Sequence, residues 1–276
     1  MKDTLEKILH MNQLEREQYM STNGDQLLEQ MTKIIGYPED ELRDKLNYRL
    51  FIELLSTNVL TNEQMAHLTI KLSGKDYLYS SIGKTEDDSV FTRSFSALWL
   101  AALLYADAQL RFLTEEQSTE ILEVATPYLM KELDVRGFLG DKGWALAIGN
   151  GSELATAIVS HPSFKLHLTS KLLEGVKASF WKGSVYINDE EESFAKLIGL
   201  LISKNVAEEV LIEWVEQVFD KLEFYLVTNG YTPQYFSART NTLHFMKQFY
   251  FLLKFTRRMP ELMGAVSIFI GKWSQQ

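Results

Sequence analysis

No cysteine occurs among the 276 residues, which excludes disulfide staples and thiolate metal sites and fits a reducing compartment. Histidine is scarce: His10, His67, His161, His167 and His244 are the five, and none stands in the His-Glu-x-x-His spacing of a helical zinc site. Long uncharged runs are lacking too. The longest in the middle of the chain, Ser94 to Ala106, is too short to span a bilayer, and the charged start Met1-Lys2-Asp3 has no apolar signal core. Basic residues are in deficit, with 28 Lys and Arg against 37 Asp and Glu and a net charge of −9. This balance argues against nucleic acid as a partner, because neutralising phosphates needs an excess of cations. A protein confined to the cytoplasm, without a transmembrane segment, is the expectation.

Alternating strand patterns are also missing, Ser184 to Ile187 being a weak candidate. What is present is helix punctuation. Asp3 is expected to cap a helix towards Met20 and Asp25 a second one, stopped by Gly36 and Pro38. Leu42, Leu46, Leu50 and Leu54 recur at i, i+4. Thr61-x-x-Gln64 and Thr114-x-x-Gln117 have the capping-box pattern, and Asp189-x-x-Glu192 resembles a third capped start. A helix is expected from Pro162 to near Gly183, another from Glu208 to Thr228 closed by Gly230, and a buried aromatic one from Pro233 to Arg258. The helices point to an all-α fold, a single domain over residues 1–276, in which stacked antiparallel hairpins form a HEAT-like α-α superhelix.

One stretch departs from this pattern. Asp134 to Pro162 holds Gly137, Gly140, Gly143 and Gly149 together with a Trp and several charges. As a binding pocket, Arg136 would grip a carboxylate or phosphate, Trp144 would form an apolar wall, and the Gly140-Asp-Lys-Gly143 amides would face an anion. As a structural loop, Asp134 would pair with Arg136 and the glycines would supply positive φ. Arg93, inside an apolar helix, needs an acidic partner, with Asp87, Asp88 and Asp134 as candidates. His161 precedes Pro162 at a helix end, where the dipole favours an imidazolium. No nucleophile, base and acid set stands out, so no catalytic residue is assigned.

Gly36–Tyr48, Ser89–Leu104, Asp134–Ile158 and Asn241–Leu253 together resemble an uncharacterised bacterial family, domain of unknown function 2785. The Arg-Ser-Phe and Arg-Gly-Phe…Lys-Gly-Trp blocks carry the resemblance most specifically. It implies an all-helical domain with no established activity. It also implies His, His and Asp where this chain has Leu146, Asn150 and Glu153, and an acidic run with an arginine where this chain has Asn188 to Glu192. Spacing of i, i+4, i+7 puts the first three on one helix face, but both imidazoles are absent here, so no metal and no cofactor is expected.

The expected function is a non-enzymatic helical-repeat scaffold binding a protein segment or small ligand. Its candidate ligand-binding residues are Arg93, Asp134, Arg136, Lys142, Trp144, Asn150 and Glu153. A degenerate hydrolase-like or metal-assisted enzyme, with Glu153, Asp134 or Asp189 as acid or base, is the alternative. From Tyr231 onward six Lys and Arg face the single acid Glu261, which suits peripheral membrane contact as a third reading.

Overall fold

Helix-period apolar spacing builds the elements, and side-chain caps at Asn12, Thr61, Thr114 and Thr232 fix the starts of four of them. The structure, a computed structural model, describes residues 1–274, and the chain is all-α. The helices are α1 (Lys2–Leu9), α2 (Gln13–Lys33), α3 (Arg49–Ser56), α4 (Asn62–Ser73), α5 (Ser89–Leu110), α6 (Glu115–Ala125), α7 (Tyr128–Lys131), α8 (Ala147–Ser160), α9 (Thr169–Ser179), α10 (Glu190–Ser203), α11 (Glu208–Asn229), α12 (Pro233–Thr256) and α13 (Pro260–Ser274). Glu41–Tyr48 winds as a π-helix that runs directly into α3. Among the described residues the β pairing amounts to one isolated bridge, Phe138 to Trp144.

The contacts divide the chain into two compact units. The first comprises Met1–Tyr128 and Glu132–Phe164, the second Leu129–Lys131 and Lys165–Gln276. In the first, Leu27, Met31, Leu50, Phe51, Leu54, Leu68 and Leu72 close a core around Trp99 of α5, which stacks on Phe51 at 3.9 Å between ring centroids. Each such side chain contributes about 1.5–3 kcal/mol by leaving water. The same helix packs along α8, the most extensive helix pair in the chain. α5 is long and apolar enough to cross a membrane by length and composition, but 67% of its apolar window is buried inside the protein. It also holds the buried Arg93, paired with Glu132, and Asp107, hydrogen-bonded to His161, as befits a core helix.

In the second unit α12 packs on α10, α11 and α13. Phe245 sits among Phe180, Trp214 and Phe249, and the Trp214 indole donates to the Leu173 carbonyl at 2.9 Å. Ser184–Ile187 is not a strand. The Tyr186 amide donates to Asn241 Oδ1 and its hydroxyl to the Ser179 carbonyl, so the segment is pinned as a loop.

Both threonine capping boxes form, at Thr61 and Thr114. Other boundaries differ from the sequence reading. A third box at Asn12 and Glu15 splits the first expected helix, and α2 then continues through Gly24 and Asp25. Asp25 is therefore no cap; its carboxylate accepts from Gln64 Nε2, which a Cβ on Gly24 would meet at 2.8 Å. Pro162 opens a turn, with α9 starting only at Thr169. Asp189 adopts φ 60 and makes no side-chain cap. α12 is buried on one face only, leaving Phe236, Phe251 and Phe255 exposed, where a helix buried all round was expected.

Candidate functional site

The polypeptide between α7 and α8 forms a short hairpin. The Leu139 amide donates to Gly143 O at 2.8 Å and the Ala145 amide to Gly137 O at 2.9 Å. The Lys142 and Gly143 amides are used within the turn, bonding Leu139 O and Gly140 O, so they do not form an anion cradle. α8 starts only after Leu146, beyond this turn. At Gly143, φ is +69 and a Cβ would lie 2.2 Å from Asp40 Oδ1, so only glycine allows this approach.

Arg43, on the π-helix and without exposure, holds the hairpin from beneath. Its Nη2 donates to Lys142 O at 2.6 Å and Nη1 to Tyr37 O and Pro38 O, while the guanidinium lies 4.0 Å from the Phe91 ring centroid. Ser94 Oγ of α5 donates to the Ala145 carbonyl. At the tip, Lys142 pairs with Asp88 in the open, and Trp144 packs beside Phe138 with ring centroids 5.1 Å apart. These rings are 42% and 61% exposed, so the hairpin presents an aromatic pair on a braced base.

Arg93 meets a different acid from those expected. Both it and Glu132 are fully buried, and the guanidinium forks onto the carboxylate through Nε at 2.5 Å and Nη2 at 3.0 Å. The remaining donors go to Ser80 O, Ser89 Oγ and Lys84 O. Glu132 also accepts from the Tyr128 hydroxyl and from the Leu133 and Asp134 amides. The latter bond hands the network on to Asp134, whose carboxylate is gripped by Arg136 Nε and Nη2 at 2.7–3.0 Å. That hydrogen bonding raises the Arg136 pKa above its ordinary value, and its Nη2 also donates to Asp87 O. Arg93, Glu132, Asp134 and Arg136 thus form one connected network, buried at Arg93, Glu132 and Asp134 and partly open to solvent at Arg136.

Asn150 and Glu153, one turn apart on α8, face α5. Asn150 Nδ2 donates to Ser94 Oγ at 2.7 Å and the Tyr105 hydroxyl to Glu153 Oε1 at 2.8 Å. Burial, then the Glu153 bond, raises the Tyr105 pKa. Nearby on the π-helix, burial pushes Tyr48 up to about 12, with Asp44 and Glu153 adding to it. The Asp44 carboxyl is itself raised by burial and by Asp40. At the end of α8, His161 is not an exposed imidazolium. It is buried, its Nδ1 accepts from the Ser163 amide at 3.1 Å, and its Nε2 lies 2.9 Å from Asp107 Oδ2. An amide pointing at Nδ1 leaves that nitrogen without a proton, so Nε2 carries it and donates to Asp107.

Two clefts lie elsewhere in the first unit, about 650 Å³ beside Gln64 and His67 and about 730 Å³ beside Tyr37 and Tyr77, and both are lined by Glu29 and Lys71. Lys71 pairs with Glu29 and donates to Thr32 Oγ1 at 3.0 Å. Among the described residues no group of three or more His, Asp or Glu could hold a metal ion.

Over residues 78–251 the chain matches the family described as Protein of unknown function (DUF2785). It belongs to that family. No curated protein and no solved structure matches it. The DUF2785 match takes in α5, the hairpin and α8, and hence the Arg93–Glu132 and Asp134–Arg136 pairs. Asp40, Arg43, Asp44 and Tyr48 precede it.

Sequence reasoning missed Glu132, Arg43 and the Asp107–His161 pair. Glu132 carried a signal, as an acid beside Asp134 with a buried arginine to satisfy. Arg43 carried none, because it acts 99 residues away in sequence.

Proposed function

We propose that this member of the DUF2785 family is a non-enzymatic, helical-repeat-like binding protein of the cytoplasm that offers the Phe138–Trp144 hairpin tip to a protein segment. The observation carrying this reading is the contrast between a hydrogen-bonded base and an open tip. Asp134, Arg136, Asn150 and Glu153 are bonded to neighbouring side chains, whereas two large aromatic rings on a braced turn are left exposed. Aromatic anchors on a rigid support are what interfaces draw most energy from. A small ligand would need a cavity burying most of its surface, and no hairpin residue lines either of the two clefts. A protein segment can cover an open aromatic surface.

The test is site-specific photocrosslinking in the native host, with the reactive group at Phe138 or Trp144 and, as control, at the exposed Ile187. One discrete adduct from the two hairpin positions, absent from the control, is expected. Affinity for the crosslinked protein then falls by about 2 kcal/mol or more in Trp144→Ala. Adducts identical at all three positions refute the reading.

A second reading rests on the half-buried set Asp44, Tyr48, Tyr105, Asn150 and Glu153, where a raised carboxyl could serve as a general acid. It requires a ligand that perturbs both tyrosines. Unchanged Tyr48 and Tyr105 resonances across a metabolite and divalent-metal screen count against it.

A further inference from the structure

α12 bears no acidic residue from Pro233 to Thr256. Its outward positions follow helical spacing: Phe236, His244, Lys247, Phe251, Lys254 and Phe255 succeed one another on one face, Arg258 lies two residues beyond its end, and all are exposed. Three are phenylalanines, at 51%, 48% and 78% exposure, and Phe251 stacks along Phe255 with centroids 6.2 Å apart. Among the described residues no carboxylate pairs with Lys247, Lys254 or Arg258, although the chain as a whole carries −9. Elsewhere in the molecule lysines and arginines do find carboxylates: Lys2, Arg16, Lys45, Lys71 and Lys142 are each paired. On α13, Ile268 is 72% exposed and no acid follows Glu261 up to Ser274, while its Lys272 pairs with Glu223 at 3.3 Å.

We propose that this basic, phenylalanine-bearing face of α12 docks on an anionic lipid bilayer surface. The occupant follows from the charge. Lys247 and Lys254 stand about 10 Å apart along the helix (seven residues at roughly 1.5 Å each), with Phe251 and Phe255 beside them. Charge interleaved with exposed rings matches lipid phosphates over an apolar boundary better than it matches a wholly polar acidic peptide. Phe251 and Phe255 beside those cations sit at the depth of the headgroup boundary. This goes beyond the hairpin reading above, uses different residues in the second unit, and stands or falls separately.

The experiment is flotation of the full chain with phosphatidylcholine vesicles, with or without about one-third phosphatidylserine, at roughly 50 mM salt. Flotation with the anionic vesicles alone, weakening at least about tenfold at roughly 0.3 M salt, is expected. Lys247→Gln/Lys254→Gln/Arg258→Gln weakens it on the order of 100-fold, and Phe251→Ser/Phe255→Ser about tenfold. Unchanged circular dichroism confirms that these exposed substitutions leave the fold intact. No flotation at low salt, equal flotation with neutral vesicles, wild-type behaviour of both variants, or tighter binding to a single-stranded oligonucleotide each overturns the proposal.

Discussion

Glu132→Gln is the sharpest perturbation available at the centre of the molecule. The Glu132 carboxylate has no solvent contact and accepts from five donors: Arg93 Nε and Nη2, the Tyr128 hydroxyl, and the Leu133 and Asp134 amides. A glutamine keeps the volume but turns an NH₂ towards at least one of those donors and leaves a buried guanidinium without its counter-charge. Breaking one side of a buried pair costs about 3–5 kcal/mol, a large share of a total stability of roughly 5–15 kcal/mol. Arg93→Met is expected to cost a similar amount, because it strands the carboxylate. The double variant removes both charges together, so it is less destabilised than the sum of the singles by at least about 2 kcal/mol. Urea unfolding followed by far-UV circular dichroism measures all three. A cost below about 1 kcal/mol for Glu132→Gln, or singles that add to the double within about 0.5 kcal/mol, refutes the network described above.

Two glycines of one turn differ in what surrounds them. Gly143→Ala drives a Cβ into Asp40 at positive φ and should lower stability by about 2–4 kcal/mol, whereas Gly140→Ala, with open space around it, should cost about 1–2 kcal/mol; equal melting temperatures contradict this. Asp44 yields a pH test. Its folded carboxyl lies above the unfolded value of about 3.9 because of burial, so the native state binds the extra proton and stability falls as pH rises through that window. Asp44→Asn should therefore stabilise the protein at pH 7 and lose that advantage near pH 4. An asparagine variant no more stable than wild type at neutral pH sinks the argument.

Features that depend on neighbours within four residues could be read from the sequence. The Thr61 and Thr114 boxes, the α11 stop at Gly230 and the Asp134–Arg136 pair are all of this kind. Features set by distant packing could not. Asp25 reads as a helix cap until it is seen inside α2, accepting from the Gln64 amide of α4. Leu42, Leu46, Leu50 and Leu54 fit an α-helix equally well, so nothing local announces the π-helix that turns Arg43 inward. Composition marked α12 as apolar and aromatic, yet burial of one face rather than all is decided by α10, α11 and α13. Arg93 was recognisable as a residue needing an acid, but choosing Glu132 over Asp134 requires the path of the loop after α7, because both acids are buried and lie two residues apart.

That path also ties the hairpin to a part of the chain outside the family match. Arg43 precedes residue 78, where the match begins, yet it holds the carbonyls of Lys142 and Pro38 at 2.6 and 2.9 Å. If this one guanidinium keeps the aromatic tip rigid, Arg43→Met should loosen the hairpin while sparing the Arg93–Glu132 pair, which shares no bond with it. The variant loses charge-assisted bonds from several carbonyls, for an expected cost of about 3 kcal/mol. Exchange of the Leu139, Ala145 and Leu146 amides, which close the hairpin, should then quicken by roughly 10- to 100-fold beyond that of the Asp134 amide. Equal acceleration at all four amides would mean that the hairpin and the buried pair open as one unit, and Arg43 would be a general stabiliser and not the brace of the tip.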